Sequence, residues 1–64
     1  MTPREVAIAL AGRRRLSASI VRKVAKHLTT PDAVTEFFAD IDMLTGEAQA
    51  HAIREALARE GVRP

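Results

Sequence analysis

Two Thr-Pro pairs, Thr2-Pro3 and Thr30-Pro31, stand 28 positions apart in this chain of 64 residues. In each, the threonine is a good N-cap. The proline presets the first helical φ at a position where its missing N–H costs nothing. A proline also biases the residue before it away from helix, so the second pair closes whatever precedes it near Leu28. The chain is thereby divided into two halves, each opening on a helix. Glu5, three residues after Thr2, adds the acid of a capping box.

Apolar spacing fills in the rest. Val6 and Leu10, with Ala7 or Ala11, recur at helical spacing up to Gly12, a natural terminator. Ser17 restarts the pattern as an N-cap, and Ile20, Val21, Val24 and Leu28 form one apolar face. Val34, Phe37, Phe38, Ile41 and Leu44 form the strongest stripe in the chain. Thr45-Gly46 is a weaker break, followed by an alanine-rich stripe of Ala48, Ala52, Ile53, Ala56 and Leu57. Gly61 then fits C′ and Val62 fits C″, the position that packs back on the last turn. No run alternates with period two for long enough to make a strand.

The expected fold is all-α: a compact four-helix domain over residues 1–64, built from two helix-turn-helix hairpins with no β-sheet. The predicted helices are 3–12, 17–28, 31–44 and 46–60. One glycine costs a helix only about 1 kcal/mol, so a single rod through Gly46 is the competing form, and it favours a coiled-coil dimer. At the offset of 28, Val6 also aligns with Val34, Ala11 with Ala39 and Leu16 with Leu44. Capping rules and helical periodicity impose such matches by themselves.

Composition narrows the function. There is no cysteine, which removes disulfides, thiolate metal sites and cysteine nucleophiles. At 47% hydrophobic and 28% charged the chain is globular in composition. A domain of this size buries only about 60% of its unfolded surface. A preorganised pocket with its supporting shell needs more chain, so neither an enzyme nor a cofactor or small-molecule substrate is expected. No apolar run nears the roughly 20 residues that span a bilayer. Val6 to Ala11 precedes its positive charges, the reverse of a secretory signal, and no long apolar segment follows Arg13-Arg14 as a twin-arginine signal requires. A whole, cytoplasmic gene product is the expectation, with no membrane partner. Twelve alanines and eight arginines suggest a GC-rich bacterial or phage genome.

The net charge of +2 conceals two poles. Residues 1–28 hold seven Lys and Arg against one acid, and residues 29–64 hold three against seven. The basic pole is Arg13, Arg14, Arg15, Arg22, Lys23 and Lys26, with Arg15, Arg22 and Lys26 on one face if Arg15 lies near the helix start. Arginines before a helix N-terminus and lysines along the helix suit phosphate contact, and Ser17 and Ser19 add hydroxyl donors. The order is analogous in outline to a DNA-reading helix–turn–helix, with the second helix as reader. It departs from that pattern at Ile8, where a small residue is usual, and in a longer connection from Gly12 to Leu16. The acidic pole carries Asp32, Glu36 and Asp40 at spacings of four, where like charges repel, so a basic partner face is expected in the same chain or a second copy.

Other constellations carry less. His27 reads as a helix-terminal cation favoured by the dipole. Glu47, His51 and Glu55 spread over about 12 Å of helix, too far for one ion, and no metal site is expected. Adjacent Phe37 and Phe38 point about 100° apart. One fills the core, and the other fills the groove beside helix one or a partner's pocket, with Met43 as a further candidate partner contact. The expected function is a small DNA-binding, transcription-regulating protein. Its basic half contacts duplex DNA through Arg13, Arg14, Arg15, Ser17, Ser19, Arg22, Lys23 and Lys26. Its acidic half makes a homodimer or protein contact through Asp32, Glu36, Phe37, Phe38, Asp40 and Met43. The alternative is an interaction adaptor or inhibitor that binds no nucleic acid.

Overall fold

The N-cap hydroxyls act where the Thr-Pro pairs place them. Thr2 Oγ1 accepts from the Glu5 N–H at 3.2 Å, and Thr30 Oγ1 accepts from the Ala33 N–H at 3.1 Å. The Thr2 hydroxyl also donates to Glu5 Oε1 at 3.3 Å. In a computed structural model, which describes residues 2–63, these caps open α1 (Pro3–Ala11) and α3 (Pro31–Leu44). Ser17 opens α2 (Ala18–His27), and Gly46 opens α4 (Glu47–Arg59) without a side-chain cap. Every boundary falls within one residue of its predicted place. The described residues are all helix and connections, with no strand.

α3 and α4 are separate helices, so the single rod is excluded. Thr45 and Gly46 are both extended, with ψ of 161° and 166°. The Thr45 hydroxyl and N–H both donate to the Ile41 carbonyl, at 2.9 and 3.0 Å, which closes α3. The two halves, α1–α2 and α3–α4, lock together across their joints. α1 packs most extensively along α3, and α2 packs against α4. The radius of gyration is 10.1 Å, close to the roughly 11 Å of a compact chain this long. No described helix is long and apolar enough to cross a membrane.

One core joins Val6, Ala7 and Leu10 of α1, Val21, Val24 and Leu28 in and after α2, and Val34, Phe37, Phe38 and Ile41 of α3. Ala50, Ile53 and Leu57 of α4 complete it, with Val62 beyond. Both phenylalanines are buried, at 0% and 3% exposure, and their rings meet edge to face at 5.3 Å. Of the two places open to the second ring, it takes the one inside the fold, which removes Phe37 and Phe38 as partner contacts: α3 is covered by α1 and by α4, so its buried arc is wide enough for two adjacent side chains. Leu44 is 47% exposed, because the last residue of α3 runs out from under its neighbours. Ala48, in the first turn of α4, is exposed and Ala50 takes the core position.

The C-terminal closure is a complete Schellman motif. Val62 N–H reaches the Leu57 carbonyl at 2.9 Å, Gly61 N–H reaches Ala58 at 3.0 Å, and Gly61 sits at φ +84°. Gly12, by contrast, ends α1 in right-handed geometry at φ −79°, ψ −3°. A Cβ there would meet only ordinary contacts, the nearest at 3.7 Å. The two glycines therefore separate in a urea titration. Gly61→Ala loses about 1–2 kcal/mol to left-handed strain. Gly12→Ala is neutral or gains up to about 1 kcal/mol, through lower unfolded-state entropy. Equal losses at both positions would refute the assignment.

Candidate nucleic-acid interface

α2 divides sharply into two faces. Val21 and Val24 turn inward, and Ser19, Arg22, Lys23 and Lys26 are exposed on the opposite side. Positions 19, 22, 23 and 26 are neighbours at helical spacing, spread over about 10 Å of axis. Lys26 and His27 occupy the last turn, where the carbonyl end of the helix favours cations. Ser17 is the N-cap that its place in the sequence predicts. Its Oγ accepts from the Ile20 N–H at 3.2 Å, so its first task is capping. Arg15 lies two residues before that cap, outside the helix, and does not continue the Arg22–Lys26 stripe.

The arginines stand on a loop held at both ends. The Arg13 N–H donates to the Leu10 carbonyl at 3.1 Å. Gln49 Nε2 of α4 approaches the Arg13 carbonyl at 3.5 Å, and Leu16 is half-buried against the core. Between these anchors Arg13, Arg14 and Arg15 are exposed. Arg13 and Lys23 also flank a cleft between α1 and α2 floored by Val6, Ala9, Leu10, Ile20 and Val24. At the other side of the α2 N-terminus, Arg59 and Glu60 share a shallow cleft with Leu16, Ala18 and Val21.

The electrostatics favour an anion here. α1, α3 and α4 each carry an acid in the first turn, Glu5, Asp32 and Glu47, whereas α2 carries none. The positive end of the α2 dipole is not offset by its own sequence. Among the described residues, none of Arg13, Arg14, Arg15, Arg22, Lys23 and Lys26 forms an ion pair; the pairs present are Arg54–Asp42 and His51–Glu55. The expected matching of the basic stripe with Asp32, Glu36 and Asp40 is not made within the chain.

The acids of α3 lie in different surroundings. Asp32 and Glu36 are exposed and Asp40 is half-buried. Asp42, also exposed, is gripped by Arg54, whose two terminal nitrogens reach the two carboxylate oxygens at 2.7 and 2.8 Å. The same guanidinium lies 5.1 Å from the centre of the Phe38 ring, a cation–π contact. Phe38 and Asp42 are one turn apart on α3, so Arg54 ties α4 to two successive turns. Local periodicity does not register a pair 12 residues apart. His51 Nε2 lies 3.0 Å from Glu55 Oε1 on the exposed side of α4. Among the described residues, no three His, Asp or Glu side chains gather closely enough to hold a metal ion.

The Arg54 fork gives a pH dependence. Its hydrogen bonds, with its charge adding and partial desolvation opposing, hold the Asp42 carboxyl below its ordinary value. A carboxyl depressed in the folded state contributes stability that is present above the ordinary carboxylate range and is lost as pH falls through the depressed value. Wild type should exceed Asp42→Asn in urea midpoint at neutral pH, and the gap should close on acidification below about pH 4. A gap independent of pH would refute the assignment.

Compared with protein-family models, with curated proteins and with solved structures, the chain matches none.

Proposed function

We propose that this protein binds duplex nucleic acid, with α2 and the loop before it laid against the phosphate backbone, and that it regulates transcription by doing so. The observation that carries the reading is the basic segment itself. Six cationic side chains between Arg13 and Lys26 are exposed and form no ion pair among the described residues. Charges left unpaired on one surface are available to displace counterions from a polyanion. The roles follow from position. Arg22, Lys23 and Lys26 contact phosphates along the helix. Arg14 and Arg15 reach the backbone flanking the α2 N-terminus. Ser17 and Ser19 both keep a hydroxyl hydrogen to donate, since Ser17 caps α2 as an acceptor. The connection from α1 to α2 covers Gly12–Ser17, longer than the three or four residues of the usual helix–turn–helix. The proposal therefore rests on the charged face rather than on that motif.

The adaptor reading has one observation in its favour: Met43 is 85% exposed on the helix that also exposes Asp32 and Glu36. Duplex binding separates the two. Electrophoretic shift of a labelled duplex should weaken steeply with salt, by about 0.9 in log K per unit log salt for each phosphate neutralised. Arg22→Glu with Lys26→Glu should abolish the shift at low salt while circular dichroism stays helical. Arg22→Ala with Lys26→Ala should lower the salt slope by about two. No wild-type shift at low salt, or an unchanged shift in the charge-reversed variant, would sink the nucleic-acid reading and favour the adaptor.

A further inference from the structure

Among the described residues, the exposed large apolar side chains are Ile8, Met43 and Leu44, at 52%, 85% and 47% accessible. Two of them share one place, and the third lies one helical turn from its rim. Met43 and Leu44 line a small surface notch between α3 and α1 together with Arg4 and Asp40. Ile8 follows Arg4 by one turn on the same side of α1. A contiguous apolar patch rimmed by charge is the usual mark of a contact surface.

The charges on this rim carry a second observation. Arg4 and Asp40 share the notch but form no ion pair or hydrogen bond with each other, and Asp40 Oδ2 is shielded from solvent without a donor. A two-fold contact brings one patch against its own copy, so it must complement itself. This patch meets that condition: it has an apolar centre with one free cation and one free anion beside it. A partner of a single charge sign would satisfy only one of the two. The basic cleft between α1 and α2, with no acid in its lining, fails the same condition.

We propose that the protein forms a two-fold homodimer through Ile8, Met43 and Leu44, with Arg4 of each copy paired to Asp40 of the other. The proposal does not rest on nucleic-acid binding. The patch lies on the flank of α1 away from α2, since Ala9 and Arg13 rather than Arg4 and Ile8 line the α1–α2 cleft. The outer faces of both α2 helices stay open in such a dimer.

Sedimentation equilibrium of the full chain at sub-millimolar concentration tests it. Wild type should show twice the 7.0 kDa chain mass. Arg4→Asp alone and Asp40→Lys alone should each be monomeric, because each places two like-charged pairs across the axis. An equimolar mixture of the two variants should recover the dimer, since a heterodimer restores both opposite-charge pairs. Pairing inside one chain cannot give that recovery. A monomeric wild type, or a mixture that stays monomeric while both variants are helical, overturns the proposal. Should Asp40→Lys fail to fold, Met43→Lys decides. Its side chain is outside the core, so it should yield a helical monomer, and a helical dimer would overturn the proposal.

Discussion

The burial of two adjacent phenylalanines on α3 is the constraint on which the rest of the structure depends. A domain of this size has little apolar surface to hide, and here no disulfide adds to it. Phe37 and Phe38 are its only aromatic residues. Hiding both requires cover over a broad arc of one helix, and one neighbour cannot give it. α1 and α4 therefore close on α3 from different directions, α2 packs against α4, and Val62 completes the core at the chain's far end. The Arg54 guanidinium over Phe38 belongs to the same solution, covering an aromatic edge of the core with a side chain that keeps its charge on Asp42.

How much of this was legible in the sequence follows from what local rules encode. Helix ends were legible because their signals are local. Threonine and serine hydroxyls reach amides three residues on, proline fixes the first turn, and Gly61-Val62 makes the Schellman turn. The width of the buried arc was not. Periodicity says that Phe37, Phe38 and Leu44 lie near one stripe. It does not say that two helices will cover the phenylalanines while Leu44 at the helix end stays half exposed. The same gap hid Ala50 and the Arg54–Asp42 fork, which depend on how α4 meets α3.

For the candidate site, exposure of Arg22, Lys23 and Lys26 could be read from their place opposite the apolar face of α2, and Arg13, Arg14 and Arg15 are exposed on the loop before it. Ser17 was legible as the N-cap of α2, from its place just before the apolar pattern resumes. On the acidic half, the expected stripe spans two environments, with Asp40 half-buried and Asp32 and Glu36 open, while Asp42 beside it is paired. The two charge poles thus stay largely unmatched, and salt screening at exposed positions limits what that arrangement costs the fold.

The cross-packing of α1 on α3 and α2 on α4 also governs how the chain can reach its folded state. Helices of nine and ten residues are too short to persist alone in water, where isolated helices need about 12–15 residues to be even marginal. Neither hairpin holds its own two helices together by extensive packing, so neither offers a shelter in which the other can wait. α1 gains its main support only when α3, on the far side of the basic loop and α2, has arrived. The natural consequence is a concerted collapse in which the longer α3 acts as the template and the two short helices consolidate on contact. No half of the molecule is a separate cooperative unit.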